Sequence, residues 1–165
     1  MLAFYWALGK DIEKMQAEQK WGSSFFATLS MDLRTVLPGQ EGFSETNIRY
    51  MKRFYVLYSQ ILPQLVEDLG DNEINPLFVD IICAVPWGHH RYIIDKCKGD
   101  SAKALFYVQK TIENNWSRAC LLNWLDTDLY KRQGKAISEY ELSKLYPTDF
   151  KGSLPSIEEI ERQLK

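Results

Sequence analysis

Cysteine is scarce, with three in 165 residues: Cys83, Cys97 and Cys120. An odd count with no CxxC spacing argues against a disulfide framework and against the common zinc patterns. Histidine is scarcer still, confined to His89 and His90. Neighbouring helical positions point ~100° apart, so the pair does not grip one ion as an i, i+4 pair would. The sequence therefore predicts no metal and no cofactor, and gives His89 and His90 a structural place at a helix start, with Trp87 as a core anchor beside them. Neither charge dominates: 20 Lys plus Arg face 22 Asp plus Glu, net −2. No global field draws the chain to nucleic acid or to an anionic membrane, so any such binding must come from a local patch. No apolar run reaches the ~20 residues of a membrane span. The apolar start Met1–Leu8 has no basic segment before it and is broken at Gly9–Lys14, unlike a secretory signal. The expectation is a reduced, cytoplasmic protein without a membrane partner. Catalytic signatures are missing too. There is no glycine-rich phosphate loop, nucleophile elbow, HExxH, or Asp…Glu-x-Lys set for a metal-dependent nuclease. No small-molecule substrate is evident.

What is present is a globular composition, 45% hydrophobic and 25% charged, with 5 Trp, 9 Tyr and 8 Phe. A chain of this size buries about 70% of its unfolded surface without staples. Helical periodicity runs through most of it. The first segment, about 2 to 19, aligns Phe4, Leu8 and Ile12. The second, about 23 to 36, turns Phe25 or Phe26, Leu29 and Leu33 inward and stops at Pro38-Gly39. The third starts at an N-cap, Ser44, with the stripe Ile48, Met51, Tyr55, Tyr58, Leu62. Residues 70–76 read as an acidic loop. Residues 77–85 form an apolar run that periodicity alone assigns to neither strand nor helix. Pro86 opens a helix ended by Gly99. Ser101 caps another with Leu105, Val108 and Ile112. Ser117 caps a third with Leu121 or Leu122, Leu125 and Leu129, whose last turn holds Lys131 and Arg132 before Gly134. Beyond it, Ser138–Glu141 and Ser156–Glu159 have capping-box spacing, which predicts a short helical tail.

Two basic faces stand out. Arg49, Lys52 and Arg53 lie at i, i+3 and i+4 on one helix face, ~140° from the apolar stripe, and residues 46–58 hold no acidic side chain. A capped helix preceded by a helix and a turn is the skeleton of a helix-turn-helix element, although Leu37–Phe43 is longer than its usual turn. Lys103, Tyr107 and Lys110 share a second face, and basic residues interleaved with aromatics suit backbone contact with stacking. For both, an ordinary solvated helix face is the simpler explanation. A third feature, Leu2, Phe4, Tyr5 and Trp6, offers an apolar start for self-association.

Several ordered strings carry a resemblance: Trp21-Gly22, Gly42-Phe-Ser44, Asn47–Tyr55, Pro86-Trp-Gly-His-His90, Thr111-Ile-Glu-Asn-Asn-Trp-Ser-Arg118 and Leu125–Lys135. Together they resemble the N-terminal domain of the YhcG-like family, bacterial proteins grouped with the PD-(D/E)xK nucleases. The resemblance covers about residues 1–136 and implies a helical domain that serves DNA binding beside a nuclease domain. Residues 137–165 resemble that family's extreme C-terminal tail. The resemblance implies that the intervening nuclease core, with its catalytic residues, is missing here, and that the family's opening helix is entered partway. The resulting expectation is an all-α, compact multi-helix domain at 1–136, with a helix-turn-helix-like element, followed by a tail remnant at 137–165. It would bind DNA without catalysis through Arg49, Lys52 and Arg53, with Lys103 and Lys110 less central. The alternative is a protein-interaction or oligomerisation module.

Overall fold

The computed structural model describes residues 1–22, 24–61 and 74–133. The capping boxes, Leu62, Gly134 and the segment 137–165 lie outside the described residues. The described part is helical and contains no strand. The elements are α1 (Leu2–Lys14), α2 (Ala17–Trp21), α3 (Phe25–Val36), α4 (Glu45–Ser59), α5 (Ile74–Cys83), α6 (Trp87–Cys97), α7 (Ser101–Asn114), α8 (Arg118–Asp126) and α9 (Leu129–Arg132). Met1–Tyr130 forms one unit and Lys131–Lys165 another.

Within the first unit α4 is the hub, packed by α1, α3, α6 and α7, and its crossing with α1 is the most extensive helix contact. Ile48, Met51, Phe54, Leu57 and Tyr58 are its buried apolar positions, and Asn47 is buried beside them. The expected stripe therefore needs one correction. Tyr55 is only half-buried and Phe54 takes the core position, because helices on several sides of α4 widen its buried arc beyond a single stripe.

The inward face of α1 also differs from expectation. Tyr5, Trp6, Gly9 and Ile12 are buried, while Phe4 is 43% exposed. Gly9 lets the α1 backbone lie directly on the Met51 carbonyl, which rotates the helix so that Trp6 meets Phe54, Tyr55 and Phe78 edge-on. A glycine contact is invisible to an apolar pattern. Tyr5 and Trp6 are thus 4% and 5% exposed within this same chain, and the apolar start is largely core, not free surface.

Local chemistry explains the helix ends. Ser44 accepts the Asn47 amide, as its N-cap place predicts, and Ser117 accepts that of Cys120. The cap of α7 is Asp100, which accepts from Lys103 N at 2.9 Å, not Ser101. The Ser101 hydroxyl is 2.7 Å from both the Leu57 carbonyl and Gln60 Oε1, tying α7 to the end of α4. On α7 the expected Leu105 and Val108 are buried, but in the last turn the buried residue is Thr111, which donates to the Tyr107 carbonyl, whereas Ile112 is 40% exposed. The run 77–85 resolves as helix over 77–83: α5 begins at Ile74, takes in the last three residues of the expected acidic loop, and carries Pro76 in its first turn, where a missing N–H costs nothing. The last predicted helix divides in two, because Asp128 adopts φ +48° between α8 and α9.

Candidate nucleic-acid interface

Arg49, Lys52 and Arg53 converge on one open cleft of about 720 Å³ between α4, the end of α1, α3 and the α6–α7 turn. Its lining also includes Glu13, Phe26, Ile94 and Lys98. Lys98 and Gly99 both take left-handed conformations, φ +51° and +91°. They reverse the chain after α6, and the left-handed region is costly for the lysine. So the i, i+3, i+4 triplet does form one basic surface, and Lys98 adds a fourth cation that sequence spacing gave no reason to group with it.

Each cation of the triplet is held by a neighbour rather than fully extended into solvent. Arg49 donates to Glu45 Oε1 at 2.8 Å and stacks 4.1 Å over the Phe26 ring. Lys52 lies 3.5 Å from Glu13 on α1. Arg53 donates to Asp95 Oδ1 at 2.9 Å, and the other Asp95 oxygen accepts the Tyr50 hydroxyl at 2.6 Å. The side chains are 41%, 26% and 48% exposed, so the face is semi-buried, not wholly solvated as its angle to the apolar stripe suggests. Glu45 sits one residue outside the acid-free stretch 46–58, and its i, i+4 spacing to Arg49 is a signal the sequence does carry. Glu13 and Asp95 are distant in sequence and have none.

Lys103 and Lys110 are not part of this cleft. Lys103 pairs with Asp128 at 2.9 Å and is 18% exposed. Burial alone would lower its pKa, but the hydrogen bond and charge of Asp128 carry it above the ordinary lysine value. This pair pins α7 to the α8–α9 turn. Tyr107 braces the same place, donating to the Trp124 carbonyl and accepting from Tyr130 N. Lys110 pairs with Glu113 at 2.8 Å and lies 5.9 Å from the Phe106 ring.

The strings that include Trp87, His89 and His90 are structural joints. Trp87 Nε1 donates to Asn47 Oδ1 at 2.8 Å, and Asn47 Nδ2 donates to the Gly42 carbonyl at 2.6 Å, which fixes the entry to α4. His90 is fully buried, with Nε2 2.7 Å from the Ile82 carbonyl and Nδ1 3.0 Å from the Tyr58 hydroxyl. A carbonyl only accepts, so the proton is assigned to Nε2 and Tyr58 donates to Nδ1. Burial pushes the His90 pKa down to about 4. His89 Nε2 is 3.0 Å from the Trp116 carbonyl, and the Arg118 guanidinium lies against Gly88. These contacts bring the two most distinctive strings of the sequence together. Burial also lifts the Cys97 thiol to about 12, which keeps it protonated and inert. Among the described residues no group of three His, Cys, Asp or Glu side chains could hold a metal ion. No described helix is long and apolar enough to cross a membrane.

No curated protein and no solved structure matches the chain. A family model does: that of the DUF1016 N-terminal domain covers residues 1–132, in keeping with the resemblance to the N-terminal domain of the YhcG-like family. With most of its 165 residues matched, the chain belongs to the DUF1016 N-terminal domain family.

Proposed function

We propose that the domain is a non-catalytic module that holds the phosphate backbone of a nucleic acid in the α4 cleft. The observation that carries this reading is the convergence of Arg49, Lys52, Arg53 and Lys98 on one concave surface. The carboxylates that pair with the triplet do not forbid it. Semi-exposed ion pairs of this kind are worth about 0–1 kcal/mol, so a phosphate can displace them at small cost. Phosphate contacts position a partner without reading its sequence, which suits a domain accompanying another activity.

Binding should therefore weaken steeply with salt. Each contact contributes a slope of about −0.7 to −0.9 in log K against log salt, so three to four contacts give between about −2 and −3.6. The triple change Arg49→Ala, Lys52→Ala and Arg53→Ala should remove most of the affinity in a fluorescence-anisotropy titration while preserving the helical circular-dichroism spectrum. Equal binding by wild type and variant would move the site to Lys103 and Lys110. The chain alone should not cleave plasmid or linear DNA with Mg²⁺ or Mn²⁺, and cleavage that persists through purification controls would refute the non-catalytic reading.

One observation favours a second reading, a protein-interaction or oligomerisation module. Trp21 is 54% exposed and stacks on Phe25, and Met31 and Val36 on α3 are 71% and 73% exposed. Absence of nucleic-acid binding at low salt would leave that reading in its place.

A further inference from the structure

The cleft does not end at its basic lining. Arg53, which lines it, also lies 5.0 Å from the ring of Tyr50. Arg91, an exposed residue of α6, lies 4.8 Å from the same ring. The Tyr50 hydroxyl is anchored on Asp95, so the ring cannot swing freely. Both guanidinium groups lie over the Tyr50 ring, so beside the cleft, next to its lining residue Arg53, the ring backs arginine planes instead of offering a bare face.

Two features of this surface select the form of the ligand. The first is shape. The cations line a depression, and α4, which bears the triplet, is packed by α1, α3, α6 and α7. A duplex presents its phosphates on a stiff, convex cylinder, and proteins usually read it by pushing an exposed helix or ribbon into a groove. A single strand can bend into a concavity. The second is chemistry. Aromatic rings and arginine planes beside a basic groove are the surfaces on which unpaired bases stack, and stacking is unavailable to the edge of a paired helix.

Resting on the reading of the cleft as a phosphate site, we infer that its ligand is a single-stranded polynucleotide, with the backbone along Arg49, Lys52, Arg53 and Lys98 and a base stacked on the exposed Arg91 plane that Tyr50 backs. The shared chemistry is an unpaired base on a phosphodiester chain, which both single-stranded DNA and RNA supply.

The test uses the full chain and four fluorescent probes at low salt: an oligo(dT), an oligo(rU) of the same length, and the two strands of a mixed-sequence DNA, single or annealed. The single strands should bind about tenfold or more tightly than the duplex. Tyr50→Ala should weaken single-strand binding by roughly 5- to 150-fold, the range expected for one lost base–aromatic stack, and weaken duplex binding less. Tyr50→Phe, which keeps the ring and loses only the bond to Asp95, should recover most of that affinity, and an unchanged circular-dichroism spectrum and melting temperature for Tyr50→Ala separate lost stacking from lost folding. The dT and rU probes then tell DNA from RNA as the source. Duplex binding equal to or tighter than single-strand binding overturns this inference and leaves the phosphate reading standing. Absence of binding to every probe overturns both.

Discussion

Replacing Gly9 by alanine is expected to destabilise the domain by about 3 kcal/mol, at the top of the usual range for overpacking. An alanine is ordinarily worth about 1 kcal/mol more than glycine inside a helix, so intrinsic preference pulls the other way. Geometry decides the sign. A Cβ at this position would overlap the Met51 carbonyl oxygen, sit 2.9 Å from its carbon and lie 3.0 Å from Tyr55 Cβ. Two of those atoms belong to the backbone of α4 and cannot rotate away. Helix α1 would have to lift off, uncovering Trp6, Tyr5 and Ile12 together. Stabilities of such domains are about 5–15 kcal/mol, so a large share of the total is at stake. Urea unfolding followed by circular dichroism measures it. A variant within 0.5 kcal/mol of the parent, or more stable, would show that the two helices do not cross this closely.

The second large effect is acid lability through His90. Burial holds its folded pKa at about 4 against an ordinary 6.5. Below pH 6.5 the unfolded chain takes up a proton that the folded chain refuses until about pH 4. The contribution of this residue to stability is therefore complete above pH 6.5 and is lost as pH falls through that window. The gap between the two values corresponds to roughly 3 kcal/mol, with a slope of at most about 1.4 kcal/mol per pH unit. Unfolding curves at several pH values between 7.5 and 4.5 give the slope, and the imidazole resonances in an NMR titration assign it. A His90 ring that titrates near 6.5 in the folded protein would sink this account. The ring has little room to adapt. Tyr58, whose own pKa burial raises well above the usual tyrosine value, and the Ile82 carbonyl occupy its two nitrogens, while Phe54 meets its edge.

The contrast between these residues shows what a sequence can carry. Ser44 was legible as a cap because the interaction spans three residues and needs one side chain type. So was the grouping of Arg49, Lys52 and Arg53, a matter of helix geometry alone. The inward face of α1 was not, because its deciding residue is a glycine that meets the carbonyl of Met51 and contributes nothing to an apolar pattern. At the start of α7 two adjacent residues, Asp100 and Ser101, have equal capping chemistry, and only the distant Leu57 carbonyl, which engages Ser101, settles the choice. The carboxylates that temper the basic cleft come from Glu13 and Asp95, separated from Lys52 and Arg53 by long stretches of chain. Tertiary partners of that kind leave no local spacing to read.

The crossing of α1 over α4 also sets an order of events during synthesis. The inward face of α1 has no cover until α4 follows it off the ribosome, and Gly9 and Met51 are 42 residues apart. At translation rates of about 5–20 residues per second, the Tyr5 and Trp6 side chains wait for roughly 2–8 s before their partner helix exists. For that interval the nascent chain carries two large aromatic side chains without the helix that buries them in the folded domain.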